Sequence, residues 1–117
     1  MTSATRRDPV SDELLTPENS AFVLIDYQPT QVDSINSMDR AKLIDNIAVT
    51  TKIIQTYKVP VVLSTVNVAN GRNKDTIPQL KELLPGVPSY DRTAINAWED
   101  ADFKKAVEAT GRKKLII

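Results

Sequence analysis

Five consecutive apolar residues, 21–25, run straight into Asp26. A run without alternation reads as a strand buried on both faces, the pattern of a parallel sheet. Residues 60–66, Pro-Val-Val-Leu-Ser-Thr-Val, read the same way, and their β-branched side chains favour extended backbone. A third run, Leu115-Ile116-Ile117, closes the chain. Between these runs the period changes. Over 39–57 the positions Ile44, Ile47, Thr51 and Ile54 recur at helical spacing, with Leu43 widening the stripe. Ser37 or Asp39 can cap that helix, and Pro60 lies just past its end. A second helix is predicted from about Asp100, with Phe103, Ala106 and Val107 as its buried stripe and Gly111 as a left-handed C′ residue. A short helical turn is predicted over 78–84 and a short extended edge around 90–93. The Asn70-Gly71 pair and scattered charges make 67–76 a loop.

Strand, helix, strand, loop, short strand, helix, strand is the order of an α/β domain. It predicts a three-layer, Rossmann-like parallel sheet with helices on both faces. The last apolar run stops without trailing into polar residues, so the sheet is expected to be incomplete at its C-terminus and the chain truncated, with a natural C-terminal strand as the alternative. Residues 1–13 are expected as a flexible tail, and 14–117 as the N-terminal part of the domain.

Composition narrows the function classes. The 117 residues suit one domain, and 41% hydrophobic with 26% charged residues is a folding composition. Fifteen basic residues balance fifteen acidic ones, so the basic footprint of a nucleic-acid binder is absent. No apolar run approaches the roughly 20 residues of a membrane span. The first residues lack the apolar core of a secretory signal, and a cytoplasmic location is expected. With no Cys and no His, these residues hold no disulfide, thiolate metal site or cysteine nucleophile, and lack the commonest base and metal ligand. No metal and no cofactor are expected. Gly71, Gly86 and Gly111 cannot form a G-x-G-x-x-G fingerprint or a phosphate loop, and there is no G-x-S-x-G elbow.

Ligands in open α/β sheets bind beyond the carboxyl ends of the strands. Asp26 belongs there, as a general base or as an ordinary turn former. Gln28 can orient a neighbour or face solvent. Arg92 is expected on the same rim, where it can hold a carboxylate, stabilise an oxyanion, or make a plain surface ion pair. Tyr27, Asn96 and Trp98 can line a pocket; a large aromatic before a helix is equally a packing anchor. The basic residues 104–105 and 112–114 read as solvated charge near a helix and its exit.

Three stretches together resemble the isochorismatase-like cysteine hydrolase family over roughly residues 14–117: Phe22 to Gln28, the strand ending at Thr65, and Arg92 through Asn96-Ala97-Trp98 to Ile117. The Asn-Ala-Trp is similar to a bacterial subgroup of hydrolases without an assigned substrate. The resemblance implies a catalytic Asp ending the first strand, matched by Asp26. It implies a cation following the third, where Arg92 stands in place of the commoner Lys. It also implies a Cys opening a helix after the next strand, which would lie beyond Ile117. Tyr27, Gln28, Asn96 and Trp98 become candidate substrate-binding residues. The implied substrate is a small-molecule amide or related C–N or C–O bond, and the implied full-length parent is a homo-oligomer. Some relatives bind a metal through His, which this chain lacks. The chain alone is expected to be inactive, and unstable at its uncovered sheet edge. The competing expectation is a non-catalytic binding or oligomer-forming module of the same fold.

Overall fold

The first apolar run forms strand β1, Ser20–Ile25, in the computed structural model, which describes residues 2, 3 and 7–117. There follow α1 (Pro29–Asp33), α2 (Arg40–Thr56), β2 (Val61–Val66), α3 (Pro78–Lys81) and β3 (Ser89–Arg92). A 3-10 turn (Ala97–Glu99), α4 (Ala101–Ala109) and β4 (Lys114–Ile116) complete the described elements. The sheet order is β3-β2-β1-β4, and every pairing is parallel. Phe22 aligns with Val61 on one side of β1 and with Ile116 on the other.

The missing alternation in β1 follows from two cores. Phe22 and Leu24 join Leu63 beneath α2 and α3, in a cluster with Ile47, Ile54, Leu80 and Leu84. Val23 and Val62 join Phe103 and Val107 of α4 on the opposite face. The domain is therefore an α/β sandwich of helix, parallel sheet and helix, as the periodicity predicts. Burying each such side chain contributes roughly 1.5–3 kcal/mol.

Helix ends follow local chemistry. Asp39, rather than Ser37, caps α2 by accepting from Lys42 N at 3.1 Å. The helix stops before Pro60 can act. Lys58 adopts φ +57°, its N–H reaches Gln55 O at 3.0 Å, and Val59 N reaches Ile54 O at 3.1 Å. This is a Schellman motif sealed by two core residues, Val59 and Ile54. Asp100 caps α4 through Phe103 N at 2.9 Å, and Gly111 takes the predicted left-handed position at φ +68°. α1, with Pro29 in its first turn, is the one helix that periodicity did not indicate.

Of the expected tail, positions 1 and 4–6 lie outside the described residues. Its end at Asp12 is tied to the domain as Leu14 is: Asp12 O and Leu14 O each accept from Asn19 Nδ2 and from Lys114 Nζ. Among the described residues no helix is long and apolar enough to cross a membrane.

The sheet reverses direction at β1. The chain moves from β1 outward to β2 and β3, then crosses back to β4 on β1's other flank. Such a reversal opens a crevice beyond the carboxyl end of the central strands.

Candidate active site

Asp26 stands in that crevice, one residue past β1. Its backbone is left-handed, with φ +60°, and its N–H donates to Ser64 O at 3.1 Å. Asn67, one residue past β2, has φ +59° and donates to Arg92 O at 2.8 Å. Asp and Asn are the non-glycine residues that tolerate this region best. The two adjacent strand ends thus turn sharply while keeping the side chain at each turn.

Arg92 ends β3 and reaches across β2 to Asp26. Nη1 lies 2.8 Å from Oδ1, and Nη2 lies 2.9 Å from Oδ2. This two-pronged pairing is the strong, directional form of a guanidinium–carboxylate contact. Nη1 also donates to Ser64 Oγ (3.0 Å) and Thr65 O (3.1 Å), and Nη2 to Ile95 O (2.9 Å). The Arg92 side chain is 2% exposed, whereas that of Asp26 is 22% exposed. The cation is sealed in and the carboxylate faces out.

Asp26 opens onto a cleft of about 470 Å³ lined also by Ile25, Tyr27, Gln31, Leu43 and Ile117. Burial pushes the Tyr27 phenol above its ordinary value, so it stands there as a neutral hydrogen-bonding group. Asn96 and Trp98 line a second cleft, of about 360 Å³, with Ile95 and Phe103. The two clefts share Val23, Ile25 and Ile117 as walls. Asn96 caps the 3-10 turn through Trp98 N at 3.0 Å, and Lys104 Nζ sits 5.4 Å from the Trp98 ring centroid.

The candidate residues therefore form two groups. Asp26, Arg92 and Tyr27 gather around the end of β1, and Asn96 and Trp98 sit beside α4. Gln28 belongs to neither cleft lining. It is fully buried, and its amide is engaged by backbone: Val66 N donates to Oε1 (3.0 Å), while Nε2 donates to Val66 O (3.0 Å) and Lys74 O (2.8 Å). Of the two roles open to it in sequence, its side chain performs the orienting one, pinning the 67–76 loop to β2.

Two residues outside the sequence-derived set complete the framework. Ser64 is fully buried; it accepts from Arg92 and donates to Tyr90 O at 3.2 Å. Burial pushes the Asp91 carboxyl up. Hydrogen bonds from Ala69 N, Val68 N, Thr65 Oγ1 and Arg92 N outweigh it and hold Asp91 below its ordinary value. The available signal was the polar pair Ser64-Thr65 inside an apolar run. Hydroxyls buried in a strand need partners, and those partners lie on β3. Among the described residues no group of three or more acidic, His or Cys side chains could hold a metal ion.

This arrangement of parallel strands, reversal point and strand-end carboxylate coincides with a known family: residues 20–117 match the isochorismatase domain, and the chain belongs to that family. It is 33% identical, over 104 residues, to the probable hydrolase YcaC of Escherichia coli K12; the match spans 88% of this chain and 50% of that protein. YcaC from Pseudomonas aeruginosa, solved with hexane-2,5-diol and covalent acrylamide, superposes with a TM-score of 0.83 at 31% identity, covering 98% of this chain and 54% of that one. The E. coli YcaC structure, described as an octameric hydrolase of unknown specificity, gives a TM-score of 0.80 at 31% identity, covering 99% and 53%. The chain thus spans about half the length of the relatives it matches.

Proposed function

We propose that this chain carries the acid–base and electrostatic part of a cysteine hydrolase site acting on a small-molecule amide or a related C–N or C–O bond. The observation that supports this most is the Asp26–Arg92 pair, with its carboxylate open to a cleft and its guanidinium sealed behind. In the proposed reaction Asp26 accepts the proton of a thiol. The thiolate attacks the substrate carbonyl carbon, the C–N or C–O bond breaks with the leaving group taking a proton, and water releases the acyl group from sulfur. Arg92 stays charged throughout and acts electrostatically. Tyr27 offers a neutral hydroxyl to the cleft, and Asn96 and Trp98 supply a polar edge and an apolar wall for the substrate.

The 117 residues contain no Cys, so the nucleophile lies outside them and the chain alone is inactive in this reading. The second reading is a non-catalytic binding or oligomer-forming module of the fold, for which the octameric relative is the supporting observation. The working form in the first reading is also a homo-oligomer, supported by the same relative, and its proposed location is cytoplasmic.

The test has two parts. The coding sequence past the Ile117 codon should continue in frame and encode a Cys soon after a short apolar strand. That longer protein should hydrolyse members of a panel of small amides, lose activity on iodoacetamide treatment, and fall by about 10²-fold or more in kcat/KM as Asp26→Asn. The 117-residue chain should hydrolyse none. Turnover insensitive to iodoacetamide rules out the cysteine route. A stop codon directly after Ile117 favours the binding module.

A further inference from the structure

We propose that Ser64 is a positioning residue of this site, acting through Arg92, and that neither of them touches substrate; the proposal rests on the reading of Asp26 as the acid–base group. The protons of the guanidinium carry it. Nη1 has two, directed to Asp26 Oδ1 and to the pair Ser64 Oγ and Thr65 O. Nη2 has two, directed to Asp26 Oδ2 and Ile95 O. All four are engaged within the protein. Only Nε–H is left, and it is buried without a partner among the described residues. Arg92 is not among the residues lining the Asp26 cleft. It stands behind the carboxylate and aims it.

What aims Arg92 is the rim of β2. A guanidinium can rotate about its side-chain axis and present one prong instead of two. Ser64 Oγ restricts that rotation, together with the backbone acceptors Thr65 O and Ile95 O, and is the one side chain besides Asp26 that does so among the described residues. Its hydroxyl proton is directed to Tyr90 O, so an oxygen lone pair faces Nη1. Ser64 is fully buried, so that lone pair does not face bulk solvent. The chain of contacts Tyr90 O, Ser64 Oγ, Arg92 Nη1, Asp26 Oδ1 runs from β3 to β2, returns to β3 at Arg92 and ends on the residue past β1.

The test reads Arg92 and Asp26 directly by NMR, using Ser64→Ala, Ser64→Thr and Thr65→Val. In the unaltered protein the Arg92 Nη protons should give separate, slowly exchanging signals. In Ser64→Ala, rotation about the Cζ–Nη bonds should accelerate by roughly tenfold, the weight of one charge-assisted hydrogen bond. The Asp26 carboxyl carbon should shift with it at neutral pH. Ser64→Thr keeps the hydroxyl and should restore both signals. Thr65→Val removes a hydroxyl that bonds Ser89 and Asp91, not Arg92, and should leave both unchanged. Unaltered Arg92 signals in Ser64→Ala overturn the proposal. An equal acceleration in Thr65→Val also overturns it, since the effect is then a general loosening of β2. Because nothing here reads turnover, a longer protein that proves inert as a hydrolase sinks the functional reading while leaving this measurement decisive for Ser64.

Discussion

Arg92 and Asp26 are 66 residues apart in sequence, yet both terminal nitrogens of one meet both carboxylate oxygens of the other. The pair is asymmetric in exposure, which decides how each partner behaves when the other is removed. Asp26 can recover water on its cleft side, and Arg92 cannot. Asp26→Asn should therefore destabilise the fold by about 3–5 kcal/mol, the cost of stranding a buried charge. Arg92→Met should cost less, about 1–3 kcal/mol. Urea unfolding of the two single variants and the double variant checks this; the double variant should lie well below the sum. Equal single costs would contradict the asymmetry.

Gln28→Leu keeps the buried volume but strands three backbone groups: Val66 N, Val66 O and Lys74 O. Val66 O retains a contact from Asn73 Nδ2 at 3.2 Å, so the expected loss is about 2–3 kcal/mol rather than the full sum. Amide hydrogen exchange should accelerate across residues 67–76 more than in α2. Uniform acceleration would mean that Gln28 supports the fold at large and not this loop.

Two left-handed helix ends give opposite outcomes. Lys58→Gly should stabilise by about 0.5–1 kcal/mol, because glycine holds φ +57° without the steric cost of a Cβ. Gly111→Ala should destabilise by about 1 kcal/mol or slightly more. An added Cβ at Gly111 meets nothing within 4 Å, so that cost is backbone strain alone. Thermal unfolding of both variants measures the pair of signs.

Asp91 sets a pH dependence. Its folded carboxyl lies below the ordinary value: burial raises it, but the N–H groups of Ala69 and Val68 and the Thr65 hydroxyl lower it further. A depressed folded pKa contributes stability that is fully present above the unfolded value, near 3.9, and is lost as pH falls through the folded value. Denaturant titrations from pH 6 downward should show a loss beginning around pH 4 that is smaller in Asp91→Asn. An identical acid slope in the two proteins would remove Asp91 from the account.

The layers of this fold were readable because apolar runs and helical stripes report burial directly. Phe22 to Ile25 read as a strand covered on both faces, and the two clusters cover it. Asp26 and Arg92 were nameable as residues standing at strand ends. Their mutual geometry was not, because register between β1, β2 and β3 is set by pairing across long stretches of chain. Gln28 shows the same limit at one position. Its residue type allows an orienting or a solvent-facing role, and only the approach of Val66 and Lys74 decides between them. The end of α2 near Tyr57 is legible from the helical stripe and from Pro60 just beyond it, but the left-handed turn at Lys58 that closes the helix is not, because lysine carries no preference for that backbone.

The left-handed backbone at Asp26 also constrains mutational drift. Glycine and asparagine enter φ +60° most easily, and aspartate is the one acidic residue that shares their tolerance. Glutamate, the nearest acid, would strain the turn and overreach Arg92. Asn or Gly at position 26 leaves the buried Arg92 unpaired, so lineages that lose this carboxylate should combine Asn or Gly at position 26 with an uncharged residue at position 92.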